Sequence, residues 1–148
     1  MNLSETCKLV RHSAAVAAGS TVITPSAGVD CKGFDAVMFV AAFGAIVSGA
    51  ATSIEIHQSS DDGVADAYSA LAGSKVTVAD DADGKLAFVE IVQPSKRFLK
   101  LIVNRATQNA TLDSVVAILS GPSRVPTTHD AGSVAAGETH PSPSEGTA

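Results

Sequence analysis

The residues able to do chemistry are few and scattered. The four histidines are His12, His57, His129 and His140, and no two have helical or hairpin ligand spacing. His57 follows Glu55 by two residues in the alternating run Ser53–His57. That spacing puts an imidazole and a carboxylate on one strand face, enough for two metal ligands but not for a site. The pair reads as a solvated strand face. His129-Asp130 lies in a proline-rich stretch, where no rigid scaffold would hold a general base in place. Asp81-Ala82-Asp83-Gly84, with Glu90 beyond it, echoes part of a calcium loop. Its first ligand position would be Ala79, which cannot coordinate, and its flanks read as strands rather than helices. It reads as a hairpin turn. No Ser or Cys sits in a nucleophile elbow. The glycines around Gly44 and Gly49 lack phosphate-loop spacing. The sequence therefore nominates no catalytic, cofactor or metal residue, and the expectation is a protein that is not an enzyme.

Charge is the feature that remains. The net charge of −5 argues against a nucleic-acid partner, which needs a basic surface to displace phosphate counterions. Acids cluster at Asp61, Asp62, Asp66, Asp80, Asp81 and Asp83; bases cluster at Lys96, Arg97, Lys100 and Arg105. Placed at different ends of a module, they would polarise it and guide docking onto a partner. The candidate partner contacts are Lys96, Arg97, Lys100 and Arg105, with Arg124 further on.

These residues need strands to position them. Residues 36–54 carry no charge and are as long as a membrane-spanning helix. Gly44, Ser48, Gly49, Thr52 and Ser53 dilute that run, and no Lys or Arg closely flanks it, so no membrane span is expected. The run splits into a strand over 34–43, a bend over 44–49 and a half-buried strand from Ser53. Further strands are predicted over 21–24, 74–78, 86–92, 98–103 and 112–119, bounded by Pro25, Asp83-Gly84, Pro94 and the polar stretch 106–110. Asp-Gly between alternating runs predicts a hairpin joining 74–78 to 86–92. About eight short strands and no long amphipathic helix predict an all-β chain. The architecture expected is a jelly-roll-like antiparallel β-sandwich, with an up-and-down barrel as the alternative.

The expected organisation is an N-terminal arm, or a first irregular strand, over 1–19, a β-sandwich domain over 20–120 and a Pro/Ser/Gly-rich C-terminal arm over 121–148. The last segment holds four of the six prolines and almost no large apolar side chain, too little to offset its ordering entropy alone. The first residues carry an early acid and no apolar run, so no signal peptide is expected. Cys7 and Cys31 form no motif and are expected to stay reduced.

Several stretches carry a family likeness: 33–39 (GFDAVMF), 68–74 (YSALAGS), 94–98 (PSKRF), 104–110 (NRATQNA), 117–121 (AILSG) and 141–148 (PSPSEGTA). Together they resemble the capsid cementing, or decoration, proteins of tailed bacteriophages that have a jelly-roll fold. The resemblance implies a virion protein on the capsid exterior, made in the host cytoplasm, whose partners are the phage major capsid protein and further copies of itself, as a dimer or trimer at a symmetry axis. It implies no chemistry, no cofactor and no membrane, and carries over no catalytic residue. The rival expectation is a tail, fibre or carbohydrate-binding sandwich. Against it, the chain has one Tyr and no Trp to stack on sugars.

Overall fold

A computed structural model describes residues 2–147. The chain forms two antiparallel sheets packed face to face. A four-residue helix, α1 (Leu3–Thr6), precedes β1 (Lys8–Ser13), β2 (Val16–Gly19), β3 (Val29–Asp30), β4 (Phe34–Ile46) and β5 (Ala51–Ser59). The rest are β6 (Ser69–Ala70), β7 (Val76–Val78), β8 (Leu86–Val92), β9 (Phe98–Ala106) and β10 (Ala110–Pro122). The first sheet runs β1-β10-β4-β8, with β2 also on β10; the second runs β3-β9-β5-β6, with β7 also on β5. Taken as shared positions, β1 with β2 and β6 with β7, the chain has eight positions that switch sheets at every step except from the fourth to the fifth, which both lie in the second sheet. The sheet orders are then first-eighth-third-sixth and second-seventh-fourth-fifth, the winding of a jelly roll. The predicted all-β sandwich is what forms.

Alternation along the strands fixes the core. In β4, Val37, Phe39, Ala41 and Phe43 point inward; in β9, Leu99, Leu101 and Val103 do so; in β5, Ile54 and Ile56 do so. These side chains meet Leu112, Val115, Ala117 and Leu119 of β10. The step from Leu112 to Val115 breaks the period of two because β10 bulges at Asp113. A compensating bulge in β4 lies between Phe43 and Ile46. Gly44 sits there because a Cβ would lie 2.9 Å from the Asp113 carboxylate. The bend expected over 44–49 therefore begins later, and the strand runs through Gly44 before turning at Val47–Ala50. The uncharged run of 36–54 is thus two buried strands, and among the described residues no helix is long and apolar enough to cross a membrane.

Three local expectations are corrected. Residues 8–19 take the strand alternative rather than the arm: β1 and β2 pair with β10 and form one margin of the first sheet. Residues 21–24 form no strand, only a bridge from Ile23 to Val103. Asp83-Gly84 does not close a hairpin. The strand before it, β7, pairs with β5 in the second sheet, while β8 pairs with β4 in the first. The turn is a crossover between sheets. Asp83 and Asp80 fasten it, their carboxylates accepting from the Ile46 and Gly49 N–H groups at 2.6 Å each.

Candidate interaction surfaces

The expected basic contacts fall into two groups. Lys100 and Arg105 are internal, 8% and 5% exposed. Arg105 has the same parity along β9 as Leu99, Leu101 and Val103, so it points into the sandwich. There it donates from Nε to the Thr21 carbonyl at 2.9 Å, and from Nη1 to the Ala17 and Ala110 carbonyls at 2.8 Å each. Lys100 points the other way but is covered: its Nζ lies 3.9 Å from the Tyr68 ring centroid and donates to the Pro25 carbonyl at 3.4 Å. Neither is open to a partner. Both hold this chain together.

Lys96 and Arg97 stay at the surface, but each is matched by an acid. Lys96 pairs with Asp66 at 2.7 Å. Its ammonium, helped by two hydrogen bonds from Ser60, holds the Asp66 carboxyl down to about 2. Arg97 makes a two-pronged contact with Asp30, at 2.9 and 2.7 Å, which holds that carboxyl below the usual range. Arg124 is exposed. The acids do not gather at one pole opposite the bases. Asp61 folds its own loop, accepting from the Val64, Ala65 and Asp66 N–H groups. Asp62 accepts from the Gly28 N–H and the Tyr68 hydroxyl. These acids and Asp66 lie beside the bases, while Asp80 and Asp83 serve the crossover. Tyr68, half-buried against Asp62, has its phenol pushed up out of the ordinary range by desolvation and that carboxylate.

The histidines are separate. His57 bonds Glu55 at 2.9 Å on the outer face of β5, half-buried rather than fully solvated. His12 turns inward, accepts from the Leu101 N–H at 3.1 Å and stands edge-on to Phe39, with ring centroids 5.2 Å apart. Burial first, then the Lys100 charge, pushes its pKa down to about 4. His129 and His140 lie in the C-terminal segment. Among the described residues, no group of three His, Cys, Asp or Glu side chains could hold a metal ion. Both cysteines are free thiols, and burial pushes Cys31 up to about 12.

Two surfaces stand out instead: a sheet face that sequence reasoning missed, and the C-terminal segment, expected as an arm. The first is the outer face of the first sheet. Strand register aligns Ile118 with Met38, Val116 with Val40, Ser114 with Ala42 and Ser120 with Ala36. It continues those rows onto Glu90, Phe88, Leu86 and Val92 of β8. At the other margin Leu9 and Arg11 of β1 complete two rows. The face is apolar apart from Glu90 and Arg11 at its two edges and two serines. Leu86, Phe88 and Val92 are 68%, 60% and 66% exposed. The even positions of 36–42 and 86–92 carried the signal: both strands are apolar on both faces.

The second surface is the C-terminal segment. It has almost no regular structure but is not detached. Thr127 donates from its N–H to the Glu5 carbonyl and from its hydroxyl to the Cys7 carbonyl. His129 Nε2 donates to the Ser4 carbonyl, while its Nδ1 accepts from the Leu9 N–H at 3.3 Å. The Ser133 hydroxyl accepts from the Arg11 N–H at 3.1 Å. Leu9 and Arg11 belong to edge strand β1, so side chains of the tail cap its outward backbone donors. From there the tail turns over the β1 and β10 part of the outer face itself: Val134 and Ala136 roof a groove floored by Leu9 and Ile118, about 620 Å³ in volume.

No protein-family model matches the sequence, and no curated protein matches it. Among solved structures the chain is similar to a Bacillus protein described under the words "Bacillus endospore appendages form a novel family of disulfide-linked pili". The identity is 15%, over 80% of this chain and 90% of that one, with a TM-score of 0.45.

Proposed function

We propose that this chain is a non-enzymatic virion structural protein that binds the outer surface of a phage capsid and cements neighbouring major capsid subunits. The observation that carries this reading is the outer face of the first sheet. Large apolar surfaces exposed on a rigid β module mark docking sites. The phage shell as partner comes from the sequence resemblance; the face supplies a surface on which docking could occur.

On this reading the sandwich gives shape and the tail gives reach. A shell under internal pressure fails at its subunit joints. A module touching several joints at once turns modest contacts into strong collective binding. The part of the apolar face that the tail leaves open, on the β8 side, meets the shell, with Lys96, Arg97 and Arg124 at the surface to steer it. The tail, held by hydrogen bonds rather than by a packed core, can transfer to the shell at small cost.

The test is co-sedimentation of purified chain with phage heads lacking it. Charge reversal of Lys96 and Arg97 should weaken decoration. A chain ending after Gly121 should fold and decorate weakly. Full decoration by both variants contradicts the reading.

A further inference from the structure

The two edges of the first sheet are treated differently. At β1 the outward N–H groups of Leu9 and Arg11 are capped by His129 and Ser133. At β8 nothing comparable occurs. The Gln93 N–H donates to Asp35, and the Phe43 N–H donates to Lys85. By the antiparallel alternation, the residues between them that bond to β4 are Ala87, Val89 and Ile91. The backbones of Leu86, Phe88, Glu90 and Val92 therefore face outward. Among the described residues, no side chain caps them. Edge strands are ordinarily guarded by Lys, Pro, bulges or covering segments. Here β8 is seven residues long and unbulged, carries Glu90 as its sole charge and exposes three large apolar side chains.

We propose that β8 pairs with β8 of a second copy of this chain, antiparallel and about a two-fold axis at Val89. In that register Leu86 faces Val92 of the second copy, and Phe88 faces Glu90. All four outward residues then find backbone partners, and the first sheets of the two copies join into one. The charges at the ends of the strand select this arrangement. The crossover leading into β8 carries Asp80, Asp81 and Asp83, offset only by Lys85; the turn leaving it carries Lys96 and Arg97, whose pairs with Asp66 and Asp30 make that end near neutral rather than acidic. An antiparallel pair brings the acidic start of one strand to the Lys96–Arg97 end of the other, twice, as a two-fold interface requires, and keeps the two acidic starts apart. A parallel pair would set like ends together. The pair deepens the assembly reading above by naming the self-contact, and it leaves the apolar outer faces of the two copies continuous for a shell.

Sedimentation velocity of the full chain, at about 100 µM to exceed the micromolar end of small interfaces, tests this without any shell. The expected particle has twice the 14.9 kDa chain mass. Phe88→Pro removes an outward N–H, which an edge strand tolerates, together with the exposed ring, and should give a monomer with an unchanged circular dichroism spectrum. The double variant Leu86→Lys, Val92→Lys should do the same if the proline disturbs folding. Hydrogen exchange should show concentration-dependent protection at Leu86, Phe88, Glu90 and Val92. A monomeric wild type, or a dimer that survives the double variant, overturns the proposal. Because no shell is present, that failure would leave the shell-binding reading standing.

Discussion

Arg105 Nη1 bonds the carbonyl of Ala110 at 2.8 Å and thereby ties β9 of the second sheet to β10 of the first. The same guanidinium satisfies Ala17 and Thr21, so one side chain serves three carbonyls from three segments. Replacing Arg105 with Met removes their donors inside the fold. The expected loss is about 2–4 kcal/mol, read as a lower urea midpoint. Lys at 105 should restore little, since one ammonium lacks the fork that spans Thr21 and Ala110. An unchanged midpoint would show that these bonds add nothing.

The half-buried imidazole of His12 sets a pH window. Its pKa is about 4 in the fold, against 6.5 for the free side chain. Between those values the unfolded chain takes up a proton and the folded chain does not. Stability should therefore be full above pH 6.5, fall as pH drops towards 4, and level off below, by up to roughly 3 kcal/mol. The Asp66–Lys96 pair acts lower, since a carboxyl depressed to about 2 loses its contribution between 3.8 and 2. Urea unfolding at pH 7 and pH 4.5 should show the difference in wild type and not in His12→Leu. Equal pH dependence in both proteins would assign the effect elsewhere.

Gly121 and Gly73 form a matched pair. Both have left-handed backbones, with φ of +63° and +76°. A Cβ at Gly121 would lie 2.7 Å from that of Asp35, whereas one at Gly73 meets nothing within 4 Å. Gly73→Ala should cost about 1–2 kcal/mol from backbone conformation alone, and Gly121→Ala more. Thermal midpoints of the two variants measure the clash by difference.

The tail guards the β1 edge. A chain ending after Pro122 should keep the spectrum of the folded sandwich, while the Leu9 and Arg11 amides exchange faster with solvent. His129→Ala should release Leu9 alone, and Ser133→Ala should release Arg11 alone. Amide exchange followed by NMR resolves the two positions. Unchanged protection of both in the truncated chain would mean the caps are not held in solution.

Much of the sandwich was legible in the sequence. Strands 86–92 and 112–119 show through because runs of Val, Ile, Leu and Phe end at Pro94, Gly121 and polar turns. The Asp83-Gly84 hairpin misled because a crossover between sheets uses the same residues: Gly84 has a positive φ in either case, and only the long-range pairing of β7 with β5 separates them. The basic cluster misled for a different reason. Spacing alone cannot tell an exposed Arg from one that satisfies buried carbonyls. The signal was nonetheless present, since Arg105 continues the inward alternation of Leu99, Leu101 and Val103. The tail caps were out of reach, because more than a hundred residues separate Leu9 from His129.

The most direct measurement of the cementing role is copy number. Phage particles from the source lysate would be purified on a density gradient, and this chain quantified against the major shell protein by mass spectrometry. The account predicts a ratio near one or a simple fraction of it. A handful of copies per particle would instead indicate a tail or fibre component, and absence from the particle would contradict the account outright.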